Sequence, residues 1–389
     1  MDPFMYYNPT KLLFGKGQLA RLPKELQRFG KKVLLVYGGG SIKRNGVYDE
    51  VIAMFEAVGI EWVELAGVEP NPRLTTVQKG IDLCKEHHID FVLAVGGGSV
   101  IDCTKAIVVG AKTEENVWDI ISQKVRAVDG LPYGSIVTIA GTGAELSLNA
   151  VVTNWDKKDK RMWASSFSRA RFTIVDPSYT KTVPKQQTVY GIVDTMSHLL
   201  EHYFHQATNT PIQDQFCESV LRTLIDVTPK LLADLENDAY RETIAYASSI
   251  ALSDQLSMGY LGDWGTHHID HALSAFYDIP HGGGMGILLP RWMEYVLDED
   301  NVARFKQLAI HVLAVETEGK SDMEIAQAGI DKLSDIWTSW GAPSTLTAYD
   351  IPKSGIEKVA KRTMEMAPTC GNFRPLSEED VIHILQKSM

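Results

Sequence analysis

The stretch "FVLAVGGGSVIDCTKA", residues 91 to 106, decides the fold. An unbroken apolar run meets three glycines, and a helical pattern opens at Ser99. An apolar run without alternation reads as a strand buried on both faces, as in a parallel sheet covered by helices. The glycines let the backbone approach a ligand closely. The helix start adds free N–H groups and a positive dipole end, which suits a pyrophosphate. The spacing is not G-x-G-x-x-G, so the standard dinucleotide fingerprint is absent. Ser99 and Asp102 also fit an S-x-x-D capping pattern. A capped helix after a tight turn is the plainer alternative, but three consecutive glycines exceed what a cap requires.

The same alternation extends on both sides. "KVLLVY" (32 to 37), "IEWVELAG" (60 to 67), "SIVTIAGTG" (135 to 143) and "RFTIVDP" (171 to 177) read as strands. "YDEVIAMFEAVG" (48 to 59) and "TTVQKGIDLCKEHH" (75 to 88) have helical apolar spacing. This predicts an α/β dinucleotide-binding domain with a parallel sheet. Near Pro184 the character changes to long helical patterns, clearest in 188 to 204 and 213 to 235. The expected division is therefore 1–184, α/β and nucleotide-binding, and 185–389, all-helical.

The bulk properties narrow the function classes. A chain of 389 residues with 44% hydrophobic content supports two domains. A net charge of -11 argues against a broad basic face for nucleic acid. Cys84, Cys103, Cys217 and Cys370 are scattered and read as thiols of a reducing compartment. The start "MDPFMYYNPT" has no secretory pattern, and no apolar run approaches the ~20 residues of a membrane span. A cytoplasmic protein is expected.

Two more small-residue turns follow strands. In "VYGGGSIKRNG" (36 to 46), Gly38 and Gly39 stand where dinucleotide folds often place an acid for the adenosine ribose. Ser41, Lys43 and Arg44 follow. An acid would repel a 2′-phosphate and basic groups would accept one, so NADP is expected over NAD. A surface turn with solvated basic residues is the alternative. In "TIAGTGAE" (138 to 145), Thr138 and Thr142 offer hydroxyls to a cofactor.

Metal-ligand types recur in the second half. Asp194, His198 and His202 stand at four-residue steps and would share a helix face. "HHIDHALSAFYDIPH" (267 to 281) adds His267, His268, His271 and His281. Together these segments can close an oxygen and nitrogen site for Fe²⁺ or Zn²⁺. By spacing alone, His267 and His271 are the natural second pair. "HHIDH" also has the frame of the H-E-x-x-H peptidase signature, but His268 occupies the position of the general-base Glu.

With these residues assembled, the chain resembles the iron-containing (group III) alcohol dehydrogenase family, most of all its NADPH-dependent aldehyde reductase and butanol dehydrogenase branch. The resemblance runs nearly the full length, through "NPTKLLFGKGQ", "PNP", "GGGSVIDCTKA", "TIAGTGAE", "GIVDTMSH" and "THHIDHALSAFYDIPHG". It implies a dehydroquinate synthase-like fold, with an α/β dinucleotide-binding domain, an all-α metal-binding domain, and an active site between them. It places the metal ligands on Asp194, His198, His267 and His281. His271 then becomes a neighbour of the nicotinamide, against the spacing argument, and His268 a bystander. Gly97, Gly98, Ser99 and Asp102 fall near the pyrophosphate and nicotinamide. Gly38, Gly39 and Ser41 fall where NAD-specific relatives carry Asp, and Asn71, Thr138, Thr142, Asn149 and Lys160 match further cofactor positions. Ala144, where many relatives have Ser, and "DHALSA" depart from the pattern and touch the substrate pocket rather than the reaction.

The expected reaction is reversible hydride transfer between a primary alcohol or aldehyde and NADP(H), with Fe²⁺ or Zn²⁺ as Lewis acid on the substrate oxygen. One carboxylate and three neutral histidines leave a net +1 there, which favours an alkoxide. His271 is the expected proton relay. Trp264, Phe276 and Tyr277 are candidates to line an apolar pocket, or else helical core. A lyase of the dehydroquinate synthase type would want basic residues near the metal, and these segments are poor in Lys and Arg. A non-catalytic NADP-binding subunit would not need four ligand positions. A homodimer is expected from the resemblance.

Overall fold

The computed structural model describes residues Met1 to Met389. They form two compact units, Tyr7–Val183 with Glu236–Ser253, and Met1–Tyr6 with Pro184–Leu235 and Asp254–Met389.

The first unit is built on eight strands and seven helices. In chain order they are β1 (Lys11–Phe14), α1 (Leu22–Leu26), β2 (Lys32–Tyr37), α2 (Ser41–Arg44), α3 (Val47–Val58), β3 (Glu61–Leu65), α4 (Leu74–Glu86), β4 (Phe91–Gly96), α5 (Gly98–Gly110), α6 (Val117–Ile121), β5 (Tyr133–Val137), β6 (Asn149–Asn154), β7 (Asp159–Ala164) and β8 (Phe172–Val175). The seventh helix comes from far along the chain. Six strands make one sheet in the order β1-β8-β5-β4-β2-β3, and every pairing in it is parallel.

Strand alternation assigns the sheet's two faces. Leu34, Val36, Val92 and Ala94 join Ile81 of α4 and Ile107 of α5 in one core. Val33, Leu35, Tyr37, Leu93 and Val95 join Val51 and Phe55 of α3 in the other. Both faces are buried, which is why these strands lack a polar stripe. The strand order reverses beside β4, with β5 on one side and β2 on the other. Ligands of open α/β sheets bind at such a switch point, beyond the carboxyl ends of the strands. The turns after β2 and β4 lie there: a side chain on Gly38 would begin 3.8 Å from Val100 at the start of α5.

The structure adds the antiparallel β6–β7 hairpin, which packs on α5. It departs from the capping expectation at Ser99. The residue before α5 is Gly97, no side chain caps the helix, and Ser99 already lies in its first turn. The Asp102 carboxylate instead accepts the Val151 N–H at 3.0 Å, tying α5 to β6.

The second unit opens with α7 (Lys185–Tyr203) and α8 (Pro211–Ala233). Then α9 (Asp238–Ala251), the seventh helix of the first unit, interrupts it. It resumes with α10 (Gly265–Tyr277), α11 (His281–Val296), α12 (Val302–His311), α13 (Asp322–Trp340), α14 (Ile356–Met366) and α15 (Glu378–Lys387). The division at 184/185 does not include two exchanges: α9 belongs with the sheet, and Met1–Tyr6 with the helices. Local chemistry sets several boundaries. Capping boxes at Ser321/Glu324 and Ser377/Asp380 start α13 and α15, and Gly341 in the left-handed region ends α13. No helix is long and apolar enough to cross a membrane.

Candidate metal centre and nucleotide turns

In the helical unit, α7 carries Asp194 and His198 one turn apart, and both are buried. Helix α10 supplies His267, and His281 is the first residue of α11. Each of the four offers one ligand atom, and these atoms all lie within 4.8 Å of one another. Asp194 Oδ1 is 3.3 Å from His281 Nε2 and 3.6 Å from His198 Nε2. His267 Nε2 is buried without a hydrogen-bond partner. Buried polar atoms rarely go unpaired. A cluster of bare imidazole and carboxylate donors fits a divalent cation such as Fe²⁺ or Zn²⁺.

Two further carboxylates orient these histidines. The Nδ1–H of His267 donates to Glu201 Oε1 at 3.0 Å, and that of His281 donates to Asp270 Oδ2 at 2.5 Å. Each bond holds the Nδ1–H on the carboxylate and turns Nε2 toward the cluster. Glu201 is wholly buried and does more than orient one ring. It also accepts the Trp264 N–H at 2.5 Å, the His267 N–H at 3.3 Å and the Thr266 hydroxyl. These are donors at the start of α10, so a residue of α7 caps α10. Trp264 holds φ of 65°, a conformation that a bulky residue adopts at a cost of order 1–3 kcal/mol. The bond to Glu201 holds it there. Beside it, Asp263 accepts the N–H groups of Asn372, Phe373 and Arg374.

The glycines after His281 are steric requirements. A Cβ on Gly282 would stand 2.1 Å from the Tyr190 carbonyl oxygen, and one on Gly284 would stand 1.9 Å from Asp270 Oδ1. Only glycine lets α11 begin this close to α7 and α10.

Charge follows burial. Burial pushes the Asp194 carboxyl up, but His198 and His281 outweigh it and hold it well below the usual range. Burial lowers His198 and His267 to about 3, so both are neutral near pH 7. Burial acts the same way on His281, yet Asp270 and Asp194 overcome it and raise that ring to about 10.

Other expected residues fall elsewhere. His271 is buried one turn beyond His267, its ring 6.0 Å from that of His281, and it gives no donor to the cluster. The easy i, i+4 pair of spacing is thus not the pair that converges. His202 also leaves the metal face: its ring packs edge-on against Trp264 at 5.0 Å. Of the three aromatics considered for the pocket, Trp264 lies beside His198 and His267. Phe276 and Tyr277 instead sit under the Lys358 ammonium on α14. His268 stays outside the cluster. Glu201 and Asp270 are not singled out by the sequence reading. Their signal is spacing, since Glu201 follows Asp194 and His198 at i, i+7 and i, i+3.

In the α/β unit, Gly97 and Gly98 after β4 meet Thr138 and Thr142 after β5. A Cβ on Gly98 would stand 2.5 Å from Thr142, and one on Gly97 3.4 Å from Ile139, so the two glycines face the turn after β5. Thr138 donates its N–H to the Gly96 carbonyl at 3.0 Å. Asp102 Oδ1 is buried, accepts no hydrogen bond and lies 3.7 Å from the Lys105 ammonium. Lys105, fully buried, also donates to the carbonyls of Ala144 and Asn149. Lys160 donates to the Asn71 side chain at 2.7 Å. Helix α9 holds the turn from outside: the Ser248 hydroxyl oxygen accepts the Gly141 N–H at 2.6 Å, and Ser249 donates to Glu145 at 2.6 Å. A glycine-lined helix start fits the pyrophosphate of a nicotinamide dinucleotide.

The turn after β2 differs from its expected character. Gly38, Gly39 and Ser41 leave it open, but Lys43 is not a free cation. Its ammonium is 3.3 Å from Glu64 Oε2 and lies over the Tyr48 ring. Of the two basic residues behind the NADP expectation, Lys43 is thus paired with Glu64 on β3, while Arg44 lies beside Gly40.

Two outcomes follow for the metal centre. Glu201→Ala removes the acceptor for His267 and the α10 N–H groups, and should weaken divalent-metal affinity by about 10–100-fold in chelator competition. In metal-stripped protein, His281 keeps its proton up to about pH 10, while His198 and His267 are already neutral near pH 7. Metal uptake at pH 7 to 9 should therefore release about one proton per ion, and affinity should rise about tenfold per pH unit across that window. Titration in weakly buffered solution with a pH indicator checks both.

Comparison with known proteins identifies this arrangement. Residues 9–177 match the iron-containing alcohol dehydrogenase family, and residues 188–389 match the C-terminal part of the Fe-containing alcohol dehydrogenase family. The chain is 56% identical to the probable NADH-dependent butanol dehydrogenase 2 of Bacillus subtilis (strain 168), with all of both chains covered. It is 55% identical, again over both whole chains, to the probable NADH-dependent butanol dehydrogenase 1 of the same organism. The crystal structure of NADH-dependent butanol dehydrogenase A from Thermotoga maritima superposes with a TM-score of 0.96 at 38% identity, covering 100% of this chain and 99% of that one. These names do not support the expected preference for NADP. With its parallel α/β unit, its helical unit and its buried Asp/His cluster, the chain belongs to the iron-containing alcohol dehydrogenase family.

Proposed function

We propose that this protein is a metal-dependent alcohol dehydrogenase and aldehyde reductase for short primary alcohols of the butanol class, working with NAD(H). The observation that carries this reading is the convergence of Asp194, His198, His267 and His281 within 4.8 Å. The NADH-dependent butanol dehydrogenases at 56% and 55% identity support the substrate class and the cofactor. The pairing of Lys43 with Glu64 supports NAD(H) in place of NADP(H).

When bound, the metal supplies Lewis acidity to the substrate oxygen, and the dinucleotide gives or takes the hydride. The protein's own residues do the rest. Glu201 and Asp270 hold His267 and His281 with their Nε2 atoms converging. Asp194 brings one negative charge, and the neutral rings of His198 and His267 add none. Trp264 walls the cluster beside His198 and keeps water from that side. Gly97, Gly98, Ser99 and Asp102 receive the pyrophosphate and nicotinamide; Asn71, Thr138, Thr142, Asn149 and Lys160 hold the remainder. His271 moves the proton of the hydroxyl group.

The protein works in the cytoplasm, in keeping with its four buried, unpaired cysteines. It functions as a homodimer. The open edge of the sheet at β1 and the exposed side chains of Met1, Phe4, Met5 and Tyr6 support that assembly.

Metal-replete protein should oxidise NADH when butanal is added, followed by the loss of reduced-nicotinamide absorbance. Chelation should abolish this, and Fe²⁺ or Zn²⁺ should restore it. No butanal-dependent oxidation by metal-replete protein would overturn the reading. His271→Ala should lower kcat by about 100-fold and flatten one limb of the pH–rate profile. A variant that keeps the wild-type profile would remove His271 from proton transfer.

A further inference from the structure

Beside the β2 turn lies a charged cluster that the metal chemistry does not use. Tyr37 ends β2, Lys43 lies in α2, Tyr48 is in the first turn of α3, and Glu64 is on β3. The Tyr37 hydroxyl donates to Glu64 Oε2 at 2.5 Å, and the Tyr48 hydroxyl donates to Glu64 Oε1. The Lys43 ammonium is 3.3 Å from Glu64 Oε2, 4.3 Å from the centroid of the Tyr48 ring and 5.1 Å from that of Tyr37. Both carboxylate oxygens and the ammonium are thus engaged in one assembly.

The place of this assembly gives it meaning. The pyrophosphate-type turn follows β4, and β2 is the neighbouring strand on one side of it. In doubly wound dinucleotide folds, the end of that neighbouring strand faces the adenosine ribose. An acid there bonds the ribose hydroxyls of NAD, and a basic group meets the 2′-phosphate of NADP. Here glycines follow the strand, in the place of that acid. Among the basic groups of the turn, Arg44 lies beside Gly40, whereas Lys43 is drawn back onto Glu64 and the two rings. Burial pushes the Glu64 carboxyl up, but the two tyrosine hydroxyls and Lys43 outweigh it, and the net shift is downward. Glu64 therefore stays ionised and keeps its hold at neutral pH.

We propose that Glu64 is a cofactor-selecting residue that acts at one remove, holding Lys43 on the tyrosine pair and so denying the 2′-phosphate of NADP(H) its cation. The inference rests on the nicotinamide-linked function proposed above. It accounts for a turn that looks doubly basic in sequence but has one of its two cations held on Glu64. Arg44 remains beside the turn and leaves wild-type protein a weak affinity for NADPH.

The test measures binding, not turnover. Dissociation constants of NADH and NADPH are determined by nicotinamide fluorescence at fixed ionic strength, with the full metal-replete chain. Glu64→Gln keeps an acceptor for the tyrosines and removes the charge. It should raise the affinity for NADPH relative to NADH by about tenfold, the scale of one charge-assisted phosphate contact. In a Lys43→Ala background the same change should produce no such gain. An unchanged ratio in Glu64→Gln, a gain that persists without Lys43, or a wild type that prefers NADPH would each overturn the proposal. Wild-type protein that binds neither dinucleotide would overturn it together with the function it rests on. Good binding with no aldehyde reduction would overturn that function alone.

Discussion

The Glu201 carboxylate is the contact on which the metal centre depends. It leaves α7 three residues after His198, and it collects the N–H groups and the hydroxyl at the start of α10. A metal site assembled from separate helices has a registry problem. Asp194 and His198 are fixed by the geometry of α7, but His267 belongs to another helix and lies 66 positions after Glu201. A single buried acceptor solves this. It caps α10, seats Trp264 in a strained conformation, and sets the rotation of the His267 ring. Leaving it unpaired would be costly, because burial works against its charge. Its cluster of donors is therefore as much a condition for folding as for chemistry.

The electrostatics have the same source. Three buried carboxylates, Asp194, Glu201 and Asp270, stand among the imidazoles, but they play different parts. Asp194 is turned toward the ligand cluster. The other two stand behind the rings and accept from Nδ1. Ligand basicity and ligand geometry are thereby set by different carboxylates, so the rings can be held firmly without adding charge in direct contact with an ion.

Much of this was legible in the sequence, for definite reasons. Parallel strands buried on both faces leave long apolar runs, and the turns after them must be small, so the α/β half announces itself. The ligands Asp194, His198, His267 and His281 sit in ordered motifs. What escaped was whatever depends on contact between distant segments. Helical spacing favours both His202 and Glu201 as companions of His198, and only the approach of α10 shows that Glu201 is used. Spacing pairs His267 with His271, whereas the entry of α11 through Gly282 and Gly284 brings His281 instead. The charge of Lys43 is visible in the sequence, but its pairing with Glu64, 21 positions away on β3, is not. The β6–β7 hairpin is hidden in the sequence because its strands carry polar residues such as Asn149, Thr153, Lys160 and Arg161 and lack a long apolar run.

Helix α9 has a consequence for how the chain is made. The turn from Thr138 to Glu145 takes two of its bonds from Ser248 and Ser249, 107 and 104 positions later. On the ribosome, the sheet and most of its helices emerge long before these partners do. During that interval α7 and α8 are synthesised, and the Gly141 N–H and the Glu145 carboxylate lack the hydroxyls of Ser248 and Ser249. Closing so long a loop is entropically slow, and native contacts of this range delay completion of a fold. The last piece of the α/β unit thus arrives only after half of the clustered Asp and His residues have been laid down.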